Sequence, residues 1–371
     1  MSDTGYFIGV ISGTSVDAID CALIECGPER TRLLATLSGE FPVDLRDDIL
    51  SLCRTATVSL HALGTLDVRV GRAFADSINE LIAHAGLTAS QIRAIGSHGQ
   101  TIFHQPIGNH RFSTQIGDPN TIAELTGITT IHDFRRRDRA AGGQGAPLAP
   151  LFHQHSFYHK DVRRCVVNIG GMANITYLNP SPTATPRGHD TGPGNVLMDI
   201  WIQQARNQRY DNAGQWAASG KVDTALLQLL LDEDYFRLAP PKSTGRELFN
   251  HSWLQDRLAQ LSHTPDAADV QRTLAELTAL SIIEAIDSSQ QTDELIVCGG
   301  GAHNTFLLQR LQQLLPAGRV LTSDDCGLSA DWVEAVTFGW LAHQTLNRQQ
   351  VDSRDLTGAR HPVIMGGVYY T

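Results

Sequence analysis

One strand–loop–strand unit occurs twice in this chain, and that repeat constrains the fold more than any other feature. The first copy reads VISGTSVDAIDCALI from Val10, and the second reads VVNIGGMANITYL from Val166. Each runs an apolar strand into small, polar turn residues and then into a second apolar strand. A repeated supersecondary unit at this distance implies two related α/β lobes, not one continuous sheet. The intervening segments agree. Leu60 to Ala85 has helical spacing and ends at Gly86, and Ile92 to Ile95 is a short strand ending at Gly96-Ser97-His98-Gly99-Gln100. Helices are expected over Gly194–Ala205, Leu226–Phe236 and Thr273–Ile286. A strand over Leu295–Cys298 then meets Gly299-Gly300-Gly301 and a helix from about Asn304 to Leu315. The segments Ser181–Arg187 and Pro240–Arg246 read as loops. The lobe boundary is placed at 135/136, with the last helix or strand packing back on the first lobe.

Charge narrows the partners. A net charge of −10 excludes a nucleic-acid polymer or an anionic membrane as the main partner, since both need a broad basic surface. A single small anion remains compatible, because a few local donors can hold it. No run of eighteen apolar residues occurs, and the start MSDTGYFIGV lacks a signal-peptide pattern, so a cytoplasmic location is expected. The six cysteines form no C-x-x-C pair and read as reduced thiols.

The first loop holds Gly13, Thr14, Ser15, Val16, Asp17, Ala18, Ile19 and Asp20. Small residues between two strands let backbone N–H groups approach an anion, and the hydroxyls add donors. Asp17 or Asp20 could hold Mg²⁺ through water. A plain hairpin with a polar turn is the alternative. The second loop, Gly170, Gly171 and Asn174, favours the anion, because two such loops can cradle one polyphosphate. Gly299, Gly300 and Gly301 can bring a ring or phosphate against bare backbone. No G-x-x-x-x-G-K-[ST] exists, so this is no P-loop enzyme, and Asn304 breaks the G-x-G-x-x-G pattern.

Asp190 lies in GHDTGPGN, read as just before a helix whose positive end keeps it ionised and fit to act as a base. A helix N-cap is its ordinary alternative. Ser97 and His98 follow a buried strand and can project into a cleft. Arg135, Arg136, Arg137 and Arg139 precede a glycine-rich stretch and suit a carboxylate or phosphate, or else a solvated ion-paired face. Glu334 is either a carboxylate that meets a sugar hydroxyl or, with Asp331, part of a capping box. His153, His155 and His159 lack acidic or cysteine companions at metal spacing, so no metal held by protein side chains is assigned.

Taken together, SGTSVDAID, SHGQT, DFRRRDRAAGGQGAPL, NIGGMANIT, DTGPGNVLMD, PKSTGRELFN and VCGGGAHN resemble the anhydro-N-acetylmuramic acid kinases in order and spacing. The resemblance runs from about residue 7 to about residue 345. It implies the actin, sugar-kinase and Hsp70 superfamily: two duplicated α/β lobes of the actin-like ATPase (ribonuclease H-like) fold with a central cleft. The implied reaction opens 1,6-anhydro-N-acetylmuramic acid with water and phosphorylates O6 from ATP with Mg²⁺, in cell-wall recycling. By this resemblance Gly13 to Asp20 and Gly170, Gly171 and Asn174 hold phosphates. Gly299 to Gly301 and Asn304 border adenosine, and Asp190 is the base. Ser97, His98, Arg136 and Glu334 are sugar contacts, and the arginine cluster suits the lactyl carboxylate. The family loop usually reads SGTSLDG, so Val16 and Ala18 depart from it. A homodimer stays open. The competing readings are another sugar or carboxylate kinase of the superfamily, or a non-catalytic nucleotide switch like actin or Hsp70.

Overall fold

The computed structural model describes residues 4–13, 15–28, 30–105, 108, 110–178, 181, 185–240, 242–286 and 292–371. The chain divides into two compact units, Met1–Ser156 with Trp332–Thr371, and Phe157–Asp331. The division thus falls later than the 135/136 boundary read from sequence, and the C-terminal segment belongs to the first unit. The physical reason is Asp138, whose buried carboxylate accepts hydrogen bonds from Ser353 and Thr357 and ties the arginine-rich stretch to the chain's end.

The first unit is built on a seven-stranded sheet. Its strands are β1 (Gly5–Ser12), β2 (Ile19–Cys26), β3 (Thr31–Gly39), β4 (Ile92–Gln105), β5 (Phe112–Ile116) and β6 (Thr130–His132), with a last strand, Gly367–Tyr369, on β6. The order is β3-β2-β1-β4-β6, with β2 antiparallel to β1 and β3, and β1, β4 and β6 parallel. The second unit has β7 (Arg164–Ile169), β8 (Met172–Tyr177), β9 (Arg187–Pro193), β10 (Glu294–Cys298) and β11 (Arg319–Thr322). Its order, β9-β8-β7-β10-β11, repeats the same five-strand plan with the same strand directions. The duplication seen in sequence is therefore a duplication of a ribonuclease H-like sheet.

β1 is buried along most of its length, as a central strand covered on both faces must be. One cover is the helix Leu60–His84, which starts at the Ser59 cap and buries Leu66, Val70, Phe74, Ile78 and Leu81 against Ile8, Val10, Ile19, Cys21 and Leu23. The other is the helix Val333–Leu346. It lies close because two strand positions carry no side chain. A β-carbon at Gly9 would fall 1.8 Å from the Ala335 carbonyl oxygen, and one at Gly96 would fall 2.0 Å from that of Phe338. This approach fixes the first turn of that helix, and with it Glu334.

Several elements differ from the sequence reading: the helix expected over Leu226–Phe236 is two, Thr224–Leu231 and Asp234–Arg237, and the one expected from Thr273 begins at Ala267. β4 does not end at Gly96. It continues through Ser97-His98-Gly99-Gln100 because Gln100 pairs with Ser12 on one side and with Ile116 of β5 on the other. Asp190 does not precede a helix. It sits inside β9, paired with Asn174, and the next helix, Val196–Arg206, has its cap at Asn195. The six cysteines are free thiols. Among the described residues no helix is long and apolar enough to cross a membrane.

Candidate active site

In the first unit, polar groups gather where β1 and β6 end, beside the middle of β4. The turn after β1 is held from within: the Gly13 carbonyl accepts from Val16 N–H (3.1 Å) and from the Gln100 amide (3.2 Å). Val16 has φ +55, a left-handed conformation that a β-branched residue adopts only under constraint. Its side chain is fully buried in the core, and Arg46 Nε donates to its carbonyl at 2.9 Å. Ala18 is not among the residues with positive φ, so the departure at 18 from the family pattern brings no strain. Ile19 is core, leaving only its backbone to serve a ligand. Asp17 pairs with Arg46 at 3.2 Å, and Asp20 accepts from Ser38 Oγ at 2.9 Å. Ser15 is half-buried. Thr14 lies outside the described residues.

A β-carbon at Gly13 would meet nothing nearer than Ser15 Oγ at 3.8 Å, and one at Gly171 would meet nothing within 4 Å. Folding does not demand glycine at these two positions through crowding. Bare backbone facing open space is what close approach of a phosphate requires.

His98 is buried, and its two ring nitrogens are both engaged. Nδ1 lies 2.8 Å from the Gly99 carbonyl, and Nε2 accepts from Arg135 Nε at 2.7 Å. That pair of partners assigns the proton to Nδ1. Burial, and then the charge of Arg135, push its pKa well below the usual imidazole range. His98 therefore holds an arginine. The sequence reading chose Arg136, but Arg136 is exposed and faces Asp133 at 3.4 Å. Arg135 is the arginine that packs inward: half-buried, on His98, with Nη1 on the Gly145 carbonyl at 2.8 Å. Nothing in its place within an RRR run distinguishes it, so sequence could not select it. Solvent reaches the Glu334 carboxylate, yet protein crowds it on most sides. That crowding, opposed by Arg135 and reinforced by Asp20, raises its pKa. Glu334 does not form a capping box, since the helix Val333–Leu346 has no side-chain cap. Among the described residues the buried hydroxyls of Ser12 and Ser97 have no hydrogen-bond partner, and the buried His132 has Nδ1 3.4 Å from Asp133 Oδ1.

In the second unit the turn Gly170-Gly171 is bound to the start of a helix. The Gly170 carbonyl accepts from Asn195 N–H (2.8 Å), and that of Gly171 accepts from Gly194 (2.9 Å) and Val196 (3.1 Å). One residue in from the strand end, Asn168, Asn174 and Asp190 stand directly opposite one another across β7, β8 and β9. Directly paired residues share a face, so this is one polar row. Asn168 was missed in the sequence, where an asparagine inside an apolar strand was its only signal. Asp190 Oδ2 accepts from Thr244 N–H at 3.0 Å, and its carbonyl accepts from Tyr235 Oη at 2.6 Å. Oδ1 has no partner among the described residues. Surrounding protein raises the Asp190 pKa to about 6; the Thr244 N–H opposes this and Glu247 adds to it. The helix-dipole argument for Asp190 is thus replaced by burial, which moves the pKa in the opposite direction.

Gly299 has φ +76, which only glycine adopts at ease. Gly300 lies with Gly301 in a short 3₁₀ turn, Gly300–His303, and a β-carbon on Gly301 would fall 2.4 Å from Ile169 Cβ. Asn304 caps the helix Thr305–Leu314 by accepting from Leu307 N–H at 3.0 Å. These residues present backbone at the end of β10.

Two sheets of one topology, each opening on a glycine turn, define a protein of the actin-like ATPase fold. The chain belongs to the anhydro-N-acetylmuramic acid kinase family, whose model matches residues 5–371. It is 48% identical over 371 residues to the anhydro-N-acetylmuramic acid kinase of Vibrio vulnificus (strain CMCP6), covering 100% of this chain and 99% of that one. It is 47% identical over 366 residues to the enzyme of that name from Saccharophagus degradans, covering 98% of each. In fold alone it resembles the crystal structure of Acidaminococcus fermentans (R)-2-hydroxyglutaryl-CoA dehydratase component A. The TM-score is 0.51 at 13% identity, over 92% of this chain and 99% of that one.

Proposed function

We propose that this kinase transfers the γ-phosphoryl group of ATP to O6 of 1,6-anhydro-N-acetylmuramic acid while water opens the anhydro bridge. The products are N-acetylmuramic acid 6-phosphate and ADP, a step that returns cell-wall sugar to metabolism. The observation that carries the reading is Asp190: a half-buried carboxylate with one oxygen held and the other open, and a pKa of about 6. A general base works best with a pKa near the working pH. Water bonds to C1 as Asp190 Oδ1 takes its proton. The C1–O6 bond breaks with its electron pair on O6, O6 bonds to the γ-phosphorus, and the bond to ADP breaks.

Backbone of Gly13, Ser15, Val16, Asp17, Ala18, Ile19 and Asp20, with Thr14, receives phosphate oxygens, as do Gly170, Gly171 and Asn174. The open space at Gly13 and Gly171 supports this assignment. Gly299, Gly300, Gly301 and Asn304 border the adenosine. Ser97, Arg135 and Glu334 meet the sugar, with His98 acting through Arg135. Arg136 is a weaker candidate, given its exposed pairing with Asp133.

Mg²⁺ would neutralise phosphate charge. Asp17, which pairs with Arg46, and Asp20, which accepts from Ser38, are the two carboxylates of the first loop that could reach it through water. Among the described residues no cluster of three metal-ligating side chains exists. The protein would work in the cytoplasm, where ATP is supplied, as a monomer or homodimer and without nucleic acid.

The test is isotopic. Turnover in ¹⁸O-water should place label on the C1 hydroxyl of the product and none in the phosphate ester. Label in the ester would overturn the mechanism. ADP release that ordinary sugars support as well as the anhydro sugar would favour a different substrate.

A further inference from the structure

Arg135 is aimed from two directions. His98 takes Nε, and the Gly145 carbonyl takes Nη1, leaving Nη2 without a partner among the described residues. Gly145 is itself fixed by Asp138. The Asp138 carboxylate is completely buried and accepts three hydrogen bonds: Oδ2 from Gly145 N–H at 2.8 Å, and Oδ1 from Ser353 Oγ at 2.6 Å and Thr357 Oγ1 at 2.8 Å. Gln144 N–H donates to the Thr357 carbonyl at 2.8 Å, so the same loop is bound twice to the C-terminal segment. Gly143 has no room for a side chain there, since a β-carbon would fall 2.1 Å from Asp138 Oδ2. Arg139 closes the loop from the other side, donating to the Gln144 carbonyl at 2.7 Å.

We propose that Asp138 is a positioning residue: through Gly145 it sets the guanidinium of Arg135 so that its open edge receives the lactyl carboxylate of the sugar. The proposal rests on the reading above in one respect, that Arg135 meets an anionic group of the substrate. The logic is geometric. A guanidinium recognises a carboxylate through a planar pair of N–H donors, and a small rotation loses one of them. The two groups that fix the plane of Arg135, His98 and a backbone carbonyl, are neutral acceptors that orient it without neutralising it, and the charges that act on it, Glu334 and Asp138, have no hydrogen bond to it among the described residues. The buried carboxylate that sets the carbonyl stands one bond further away. A sugar that lacks the lactyl group gains nothing from this arrangement, so Asp138 governs selectivity and not the chemistry itself.

The experiment measures dissociation constants of the full chain for two sugars, 1,6-anhydro-N-acetylmuramic acid and 1,6-anhydro-N-acetylglucosamine, which lacks the lactyl ether. Asp138→Ala should lower the preference for the lactyl sugar by about tenfold or more, the effect of losing a charge-assisted pair, while binding of the second sugar and of ATP holds. Asp138→Asn should retain most of the preference, because its oxygen can accept from Gly145 while the two hydroxyls turn to accept from its amide. Should the Ala variant fail to fold, the double variant Ser353→Ala with Thr357→Val decides, by a smaller fall in the same ratio. Arg135→Ala is the control. If it leaves the preference intact, the carboxylate reading itself falls. If it abolishes the preference while Asp138→Ala, or the double variant in its place, does not change it, the positioning role alone is overturned.

Discussion

The hairpins that open the two sheets have the same strand order but different turns. In the first unit the turn is long, strained at Val16 and braced by Arg46 from a neighbouring helix. In the second it is Gly170-Gly171, whose carbonyls cap the start of the helix Val196–Arg206. The third strands differ more. β3 alternates between half-buried and exposed, as an edge strand does, whereas β9 is buried toward its end and carries Asp190. One residue in from the end of each first strand, the rows read Ile11–Asp20–Ser38 and Asn168–Asn174–Asp190. The duplication repeated a framework. The carboxylate that can serve as a base lies on only one copy of that row's third strand.

The largest effect should come from that asymmetry. Asp190→Asn keeps the size of the side chain and removes the base. Turnover should fall by roughly 10² to 10⁴, with ATP affinity unchanged. In the native enzyme the rate should rise with pH through about 6, the raised pKa of Asp190, and level off above it, because the base acts only when deprotonated. An active Asn variant, or a rate flat between pH 5 and 7, would place the base elsewhere.

Glycines sharpen the comparison next. Gly13→Val and Gly171→Val put a side chain into open space, so both variants should melt like the native protein while ATP affinity drops at least about 10²-fold, as expected if the backbone N–H contacts to phosphate are lost. Gly96→Ala does the reverse. Its β-carbon would strike the Phe338 backbone, and overpacking of this kind costs about 1–3 kcal/mol. Calorimetric melting of the three variants with ATP titrations checks both halves. A folded, ATP-competent Gly171→Val would remove the second loop from the site.

These contrasts mark what sequence could and could not tell. The repeat was legible because a strand–turn–strand unit keeps its apolar pattern wherever it is placed. The glycine sites were legible as a class, yet sequence could not separate Gly13, which faces open space, from Gly9, which admits a helix backbone. Asp190 was chosen for a local reason, a place just before a helix, that the structure does not bear out. Pairing with Asn174 makes it strand, and strand pairing is a long-range fact. Which arginine of the run is held, and the part played by Asp138, were illegible for the same reason, since the partners are His98, Gly145, Ser353 and Thr357.

Acid should weaken the first unit and spare the second. In the first unit burial lowers His153 to about 3 and His155 to about 4, the latter also by His343. The unfolded chain takes up those protons near 6.5 while the folded unit refuses them, so stability falls as pH drops below 6.5, by about 2 kcal/mol per histidine at pH 5. Glu334, raised, offsets part of this. In the second unit Asp190 and Asp199 are raised to about 6 and about 7, mainly by burial. Their ionised forms oppose folding at pH 7, and that penalty disappears as they protonate. His189, lowered to about 4, works against them. Hydrogen exchange at pH 7 and pH 5 should therefore show protection falling in residues 1–156 and holding in 157–331. Equal losses in both units would contradict the assignment.

The smallest effect tests the strained turn. Val10 and Val16 are both fully buried in the first unit, one in an ordinary strand and one at φ +55. Removing a buried valine side chain forfeits roughly 1.5–3 kcal/mol of burial, and glycine adds about 0.5–1 kcal/mol of backbone entropy. Val10→Gly should therefore destabilise the first unit by about 3 kcal/mol. At Val16 the same losses apply, but glycine relieves a left-handed conformation that costs a side-chain-bearing residue about 1–2 kcal/mol. Val16→Gly should then cost only about 1–2 kcal/mol. Strain of this kind persists where the surroundings over-determine it, and here Arg46 on the carbonyl and the core around the side chain both do so. Denaturant unfolding of the two variants gives the difference directly. Equal losses would mean that the turn stores no strain, and that Val16 is held by packing alone.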